Sequence, residues 1–171
     1  VYGGYIFTPE ISGLNGNRIA GLASVYLPGI IKHHSINLKS GIEIQESSAE
    51  YNLFGSAVSF SRGYNYIRYN EKIKFSADYT FPIWYPDINI GPLVYFKRVR
   101  AGLFYDHCLL NVAESNEDNT YKSAGGELIF EINILRLTEP IEIGSRVSYL
   151  FDSEEGDSNI VPEFLVIGIP F

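Results

Sequence analysis

The sequence holds no methionine, one cysteine and one tryptophan among 171 residues. A single thiol, Cys108, cannot close an intramolecular disulfide, and no second cysteine or histidine cluster at ligand spacing supports a metal site. Cys108 is therefore expected as a buried structural thiol. Positive charge is also scarce, with 13 Lys and Arg against 20 Asp and Glu. The resulting net charge of −7 argues against nucleic acid as a partner, because phosphate binding draws on a cationic surplus. No stretch approaches the roughly 18 uninterrupted apolar residues of a transmembrane helix. No charged-then-apolar leader opens the chain, so Val1 is expected to begin in mid-strand of a longer protein.

Catalytic signatures are missing as well. No serine sits in a Gly-x-Ser-x-Gly elbow, and the histidines, at 33, 34 and 107, lie away from any nucleophile setting. The acidic stretch 152–158 lacks the spacing of an EF-hand and is expected to be solvated. The expectation is a protein without enzymatic activity, cofactor or metal.

What the chain does contain is dispersed apolar material. Hydrophobic residues make up 46% of it and aromatics 15%, with 13 Tyr and 11 Phe, yet the mean hydropathy is zero. Such a composition suits strands rather than a helical bundle. Between 35 and 46, Ile36, Leu38, Ile42 and Ile44 fall on one face while Asn37, Lys39, Glu43 and Gln45 fall on the other. The stretch 71–81 sets Ile73, Phe75, Ala77, Tyr79 and Phe81 against Lys72, Lys74, Ser76, Asp78 and Thr80. Comparable alternation runs through 124–134 and 141–151. Eight strands are predicted, at about 1–8, 17–27, 35–46, 70–81, 92–111, 120–136, 140–151 and 161–171. Several reach the length of about 9 to 11 residues that a tilted strand needs to cross a bilayer, beyond the usual 5 or 6 of globular strands. Polar, turn-rich connections at 113–120 and 152–159 contrast with short ones at 28–34 and 137–140. This asymmetry matches outer-membrane barrels, with long extracellular loops opposite short periplasmic turns.

The longest connection, 47–70, contains Ser61-Arg62-Gly63-Tyr64. Downstream come Ala77-Asp78-Tyr79-Thr80-Phe81-Pro82, Leu103-Phe104-Tyr105-Asp106, Ser123-Ala124-Gly125-Gly126-Glu127-Leu128 and the stretch 164–171, FLVIGIPF. In wording and order these resemble the BamA-like (bacterial surface antigen) superfamily of outer-membrane assembly and translocation barrels. There an Arg-Gly-aromatic motif sits on an extracellular loop folded into the barrel lumen and is followed by five strands. Tyr79 to Asp87 (YTFPIWYPD) with Tyr95-Phe96-Lys97-Arg98 also resembles the Bacteroidetes barrels attached to TolB-like propellers.

The resemblance implies that the Arg62, Gly63, Tyr64 motif points into the lumen and that Phe104 and Asp106 face it there. A guanidinium in a partly desolvated lumen needs a carboxylate, and Asp106 is the expected partner. The competing expectation leaves Arg62 solvated and pairs Asp106 with Arg100. Glu127, Glu131, Glu142 and Arg146 are expected to form a cross-strand charge ladder. Leu165, Ile167, Ile169 and Phe171 share a face and match the aromatic-terminated signal by which outer-membrane barrels are recognised for insertion.

The expected fold is an all-β antiparallel transmembrane β-barrel. Residues 1–171 would supply the C-terminal half of about sixteen strands, the N-terminal part and any periplasmic domain lying outside them. The expected function is protein insertion, secretion or membership of an outer-membrane complex. Expected partners are outer-membrane lipid and lipopolysaccharide, the barrel-assembly machinery and other outer-membrane or lipoprotein subunits. Two alternatives stand beside this: a barrel anchoring an upstream propeller or patatin-like lipase, and a soluble ligand-binding barrel.

Overall fold

The structure, a computed structural model, describes residues 1–7, 16–47, 55–91, 93–111, 118–134, 140–152 and 158–168. Among these it is all-β and has no helix, hence none long and apolar enough to cross a membrane. Nine strands form one antiparallel sheet: β1 (Tyr2–Phe7), β2 (Gly16–Pro28), β3 (Ser35–Ser47), β4 (Glu71–Trp84), β5 (Ile88–Ile90), β6 (Val94–Asn111), β7 (Asp118–Ile134), β8 (Ile141–Leu150) and β9 (Ile160–Gly168). Their spatial order is β1-β2-β3-β4-β6-β7-β8-β9, with β5 paired off this path to β6.

The predicted strands recur within a few residues, with two differences. The three residues of β5 fall between the predicted strands 70–81 and 92–111, where no strand was expected, because they are too few to display an alternation. The strand β7 starts at Asp118, inside a segment expected to be a loop, because Asp118 and Asn119 find ladder partners in Asn111 and Leu110. The sheet is also open, since no pairing joins β1 to β9 among the described residues. That differs from a closed barrel, because each edge strand has a neighbour on one side only.

Strict registers carry the two faces across the sheet. Glu43 lies opposite Lys72, Ser76 opposite Asp106, Asp106 opposite Ser123 and Glu127 opposite Arg146, so one face carries the charged residues across the sheet. A bulge in β6 between Phe96 and Arg98 resets the parity and keeps Arg98 on this face, opposite Glu131. The other face carries Ile42, Ile73, Phe75, Leu103, Tyr105, Phe130 and Val147, all exposed. By contrast Glu43, Lys72, Lys74, Asp106 and Glu131 are buried. This reverses the usual arrangement of a half-solvated antiparallel sheet, which hides its apolar face.

What covers Glu43, Lys72, Lys74 and Asp106 is the connection from β3 to β4. Its described part, 55–70, lies against the polar face and builds a small core of Tyr69, Cys108 and Leu110, with Phe60, Ile67 and Tyr121 packed around it. Cys108 is a free, fully buried thiol.

Candidate functional site

Sequence order places Arg62 one loop away from the strands it must meet, and hydrogen bonding draws it in. Its Nε donates to Asp106 Oδ2 at 2.8 Å and its Nη2 to Asp106 Oδ1 at 2.9 Å, a two-pronged pair. The Arg62 backbone amide donates to the same Oδ2 at 2.9 Å. A second carboxylate, Asp78 on β4, receives Nη2 at 2.6 Å. The guanidinium also stacks over the Phe104 ring, 3.8 Å from its centroid, a contact of about 0.5–2 kcal/mol. Burial alone would lower the Arg62 pKa, but Asp106 and Asp78 outweigh it and hold the side chain firmly charged. Asp106 is fully buried and takes a further contact from Lys74 at 3.6 Å.

Gly63 and Tyr64 continue the contact toward β7 and β8. Gly63 has a φ of +87°, and a Cβ there would press on Ser148 Cβ at 2.8 Å and Leu150 Cδ2 at 2.9 Å. Glycine satisfies both demands at once. The Tyr64 hydroxyl donates to the Lys122 carbonyl at 2.8 Å, and the Ser61 hydroxyl to the Tyr121 carbonyl at 2.9 Å. The structure thus brings Arg62, Gly63, Tyr64, Phe104 and Asp106 together, while Arg100 pairs elsewhere, with Glu131 and Glu142.

A second attachment escaped the sequence reading. Glu43 on β3, wholly buried, accepts the backbone amides of Ala57 at 3.1 Å and Val58 at 2.9 Å, and the Ser56 hydroxyl at 3.1 Å. Gln45 Nε2 adds a bond at 2.8 Å, and Lys72 Nζ approaches at 3.6 Å. Lys72 also donates to Ser56 Oγ and to the Tyr69 hydroxyl, while Lys74 donates to the Phe60 carbonyl at 2.6 Å. Burial, more than any neighbour, raises the Tyr69 pKa and keeps its hydroxyl protonated. The connection is therefore a strap, fastened at Glu43 on one side and Asp106 on the other, spanning β3 to β8.

Beyond the strap, toward the short connections, lies the charge ladder. Glu131 receives Arg98 at 2.7 Å and Arg100 at 3.1 Å, with Lys97 at 4.0 Å. Arg100 continues to Glu142, and Arg146 bridges Glu127 and Glu163, each at 3.2 Å. Among the described residues no group of three or more His, Cys, Asp or Glu side chains is placed to hold a metal ion. Of the expected insertion-signal residues, Leu165 and Ile167 are exposed on β9, and Ile169 and Phe171 fall outside the described residues.

Comparison with protein families, curated proteins and solved structures finds no match for this chain.

Proposed function

We propose that this chain forms part of an integral outer-membrane β-barrel of the assembly and translocation class, whose interior is strapped by an inward-folded loop. The observation that carries the reading is the reversed polarity of the sheet. Ile73, Phe75 and Leu103 are left open on one face, while Lys72, Lys74 and Asp106 are buried beneath 55–70 on the other. In water an apolar face of this size would be a liability, whereas against hydrocarbon it is the stable side. A polar interior follows from the same alternation. The barrel acts in this reading by binding and passing polypeptide rather than by chemistry, with lipid and outer-membrane or lipoprotein subunits as its surroundings.

The test is cellular fractionation of the expressed full-length protein, followed by alkaline extraction and gel migration with and without boiling. Retention in the outer membrane after extraction, together with a heat-dependent shift in migration, is the expected result. A protein released in soluble form at neutral pH would overturn the proposal.

A further inference from the structure

The half of the polar face left uncovered by the strap, between Arg62 and the β2–β3 turn, encloses an open cavity of about 550 Å³. Lys39, Arg62, Arg98, Arg100 and Arg146 line it, against three carboxylates, Asp78, Glu127 and Glu142. The lining thus carries two more cations than anions in a chain whose net charge is −7.

Carboxylates hold these cations from two layers. Asp78, at 2.6 Å from Arg62, and Glu142, paired with Arg100, belong to the lining, whereas Asp106 and Glu131, 0% and 2% exposed and outside it, hold Arg62, Arg98 and Arg100 from beneath. Each of them has a further cation, Lys74 for Asp106 and Lys97 for Glu131, so counting these layers together leaves the surplus unchanged. Glu163 reaches Arg146 from the edge strand at 3.2 Å, and counting it brings the surplus down to one. Arg98 and Lys39 are the most open of the cations, at 41% and 52%. Among the described residues, each meets one carboxylate, Glu131 for Arg98 and Asp78 for Lys39, and each side chain has further donors to offer. Tyr26 and Tyr85, both exposed, also line the cavity.

We infer that this cavity binds a small organic anion bearing phosphate or carboxylate groups, with Arg98 and Lys39 as its principal contacts. Planar guanidinium forks suit both groups, and the surplus of positive charge favours an anion. The inference concerns the polar face alone and stands whether or not the apolar face meets lipid.

Calorimetric titration of the purified full-length protein with inorganic phosphate and, separately, with succinate tests it. Saturable binding of at least one is expected at low ionic strength, weakening steeply as salt rises. Phosphate binding alone assigns a phosphate-bearing ligand, and succinate binding alone a dicarboxylate. Arg98→Gln and Lys39→Gln should each weaken binding by at least about tenfold, a loss of roughly 1.4 kcal/mol. Both side chains are well exposed, so either variant retains the sheet, as circular dichroism would verify. Absence of binding by both anions, or binding unchanged in both variants, would overturn the inference.

Discussion

Arg62 lies flat over Phe104, 3.8 Å from the ring centroid, while two of its nitrogens grip the Asp106 carboxylate. The strand thus offers the loop both a surface and a charge two residues apart, on the same face of β6. A lysine could satisfy the charge but not the fork or the stacking. Arg62→Lys should therefore destabilise the protein measurably, and Arg62→Ala by about 3–5 kcal/mol, because it leaves the buried Asp106 with Lys74 and the backbone amide of position 62 but without the guanidinium. Denaturant unfolding followed by the fluorescence of Trp84, the only tryptophan, measures the loss. Equal stability of the Lys variant and the wild type would remove the fork from the account.

Glu43 should behave as an independent fastening. Glu43→Gln keeps the shape but surrenders the charge that draws in the amides of Ala57 and Val58. No hydrogen-bond partner is shared with the Arg62 pair, so the Glu43→Gln and Arg62→Lys losses should add within about 0.5 kcal/mol in a double mutant. Limited proteolysis between 55 and 62 should speed up in each single variant and most in the double. Strong non-additivity would mean that the strap behaves as one rigid unit.

The two fastenings differ in how far the sequence discloses them. Asp106 was accessible because the family resemblance folds the Arg62 loop inward, where a guanidinium demands a carboxylate, and implies that Phe104 and Asp106 face it there. Glu43 was recognised only as a polar-face residue, since its partners are backbone amides of Ala57 and Val58, which leave no side-chain signature. The long strands were legible from alternation, as in Lys72, Lys74, Ser76, Asp78 and Thr80. The bulge between Phe96 and Arg98 was not, because one extra residue in an unbroken run of chain carries no composition cue. Nor does alternation say which face meets which solvent, and so neither closure nor surroundings can be read from it.

The small residues of β7 make a sharper test of packing. A Cβ on Gly125 would run into the Val147 carbonyl and lie 2.7 Å from Phe104 Cζ, whereas a Cβ on the adjacent Gly126 would meet nothing closer than 3.6 Å. Gly125→Ala should therefore cost about 1–3 kcal/mol through overpacking and displacement of the Phe104 ring. Gly126→Ala should be neutral or slightly stabilising, by up to about 1 kcal/mol, through loss of freedom in the unfolded chain. Thermal melts of the two variants side by side would decide it, and equal midpoints would contradict the close fit at Gly125.

Burial should also rank the ladder. Glu131 is 2% exposed and holds two arginines, while Glu163 is 38% exposed and shares Arg146 with Glu127. Glu131→Ala takes the carboxylate from Arg98 and leaves Arg100 to Glu142, and should cost about 1–3 kcal/mol. Glu163→Ala should cost under about 1 kcal/mol and less still in high salt. Unfolding curves at two ionic strengths measure both, and a reversed ranking would discredit burial as the deciding variable.

Leu103 separates lipid from water on the apolar face. It stands near the middle of the 18 residues of β6, opposite Tyr79 on one side and Gly126 on the other, and is 57% exposed. On a water-facing sheet, Leu103→Arg would replace an exposed apolar side chain by a charged one at a cost within about 0.5 kcal/mol. Against hydrocarbon at mid-depth the same change costs about 2–4 kcal/mol, and the penalty falls toward the interfaces. A series of arginine substitutions along the same face, at Leu103, Tyr105 and Leu109, should therefore show a penalty that declines toward the end of the strand. Folding into lipid vesicles, read by Trp84 fluorescence and by gel migration, supplies the measurement. A flat series near zero would place this face in water and remove the membrane reading at its root.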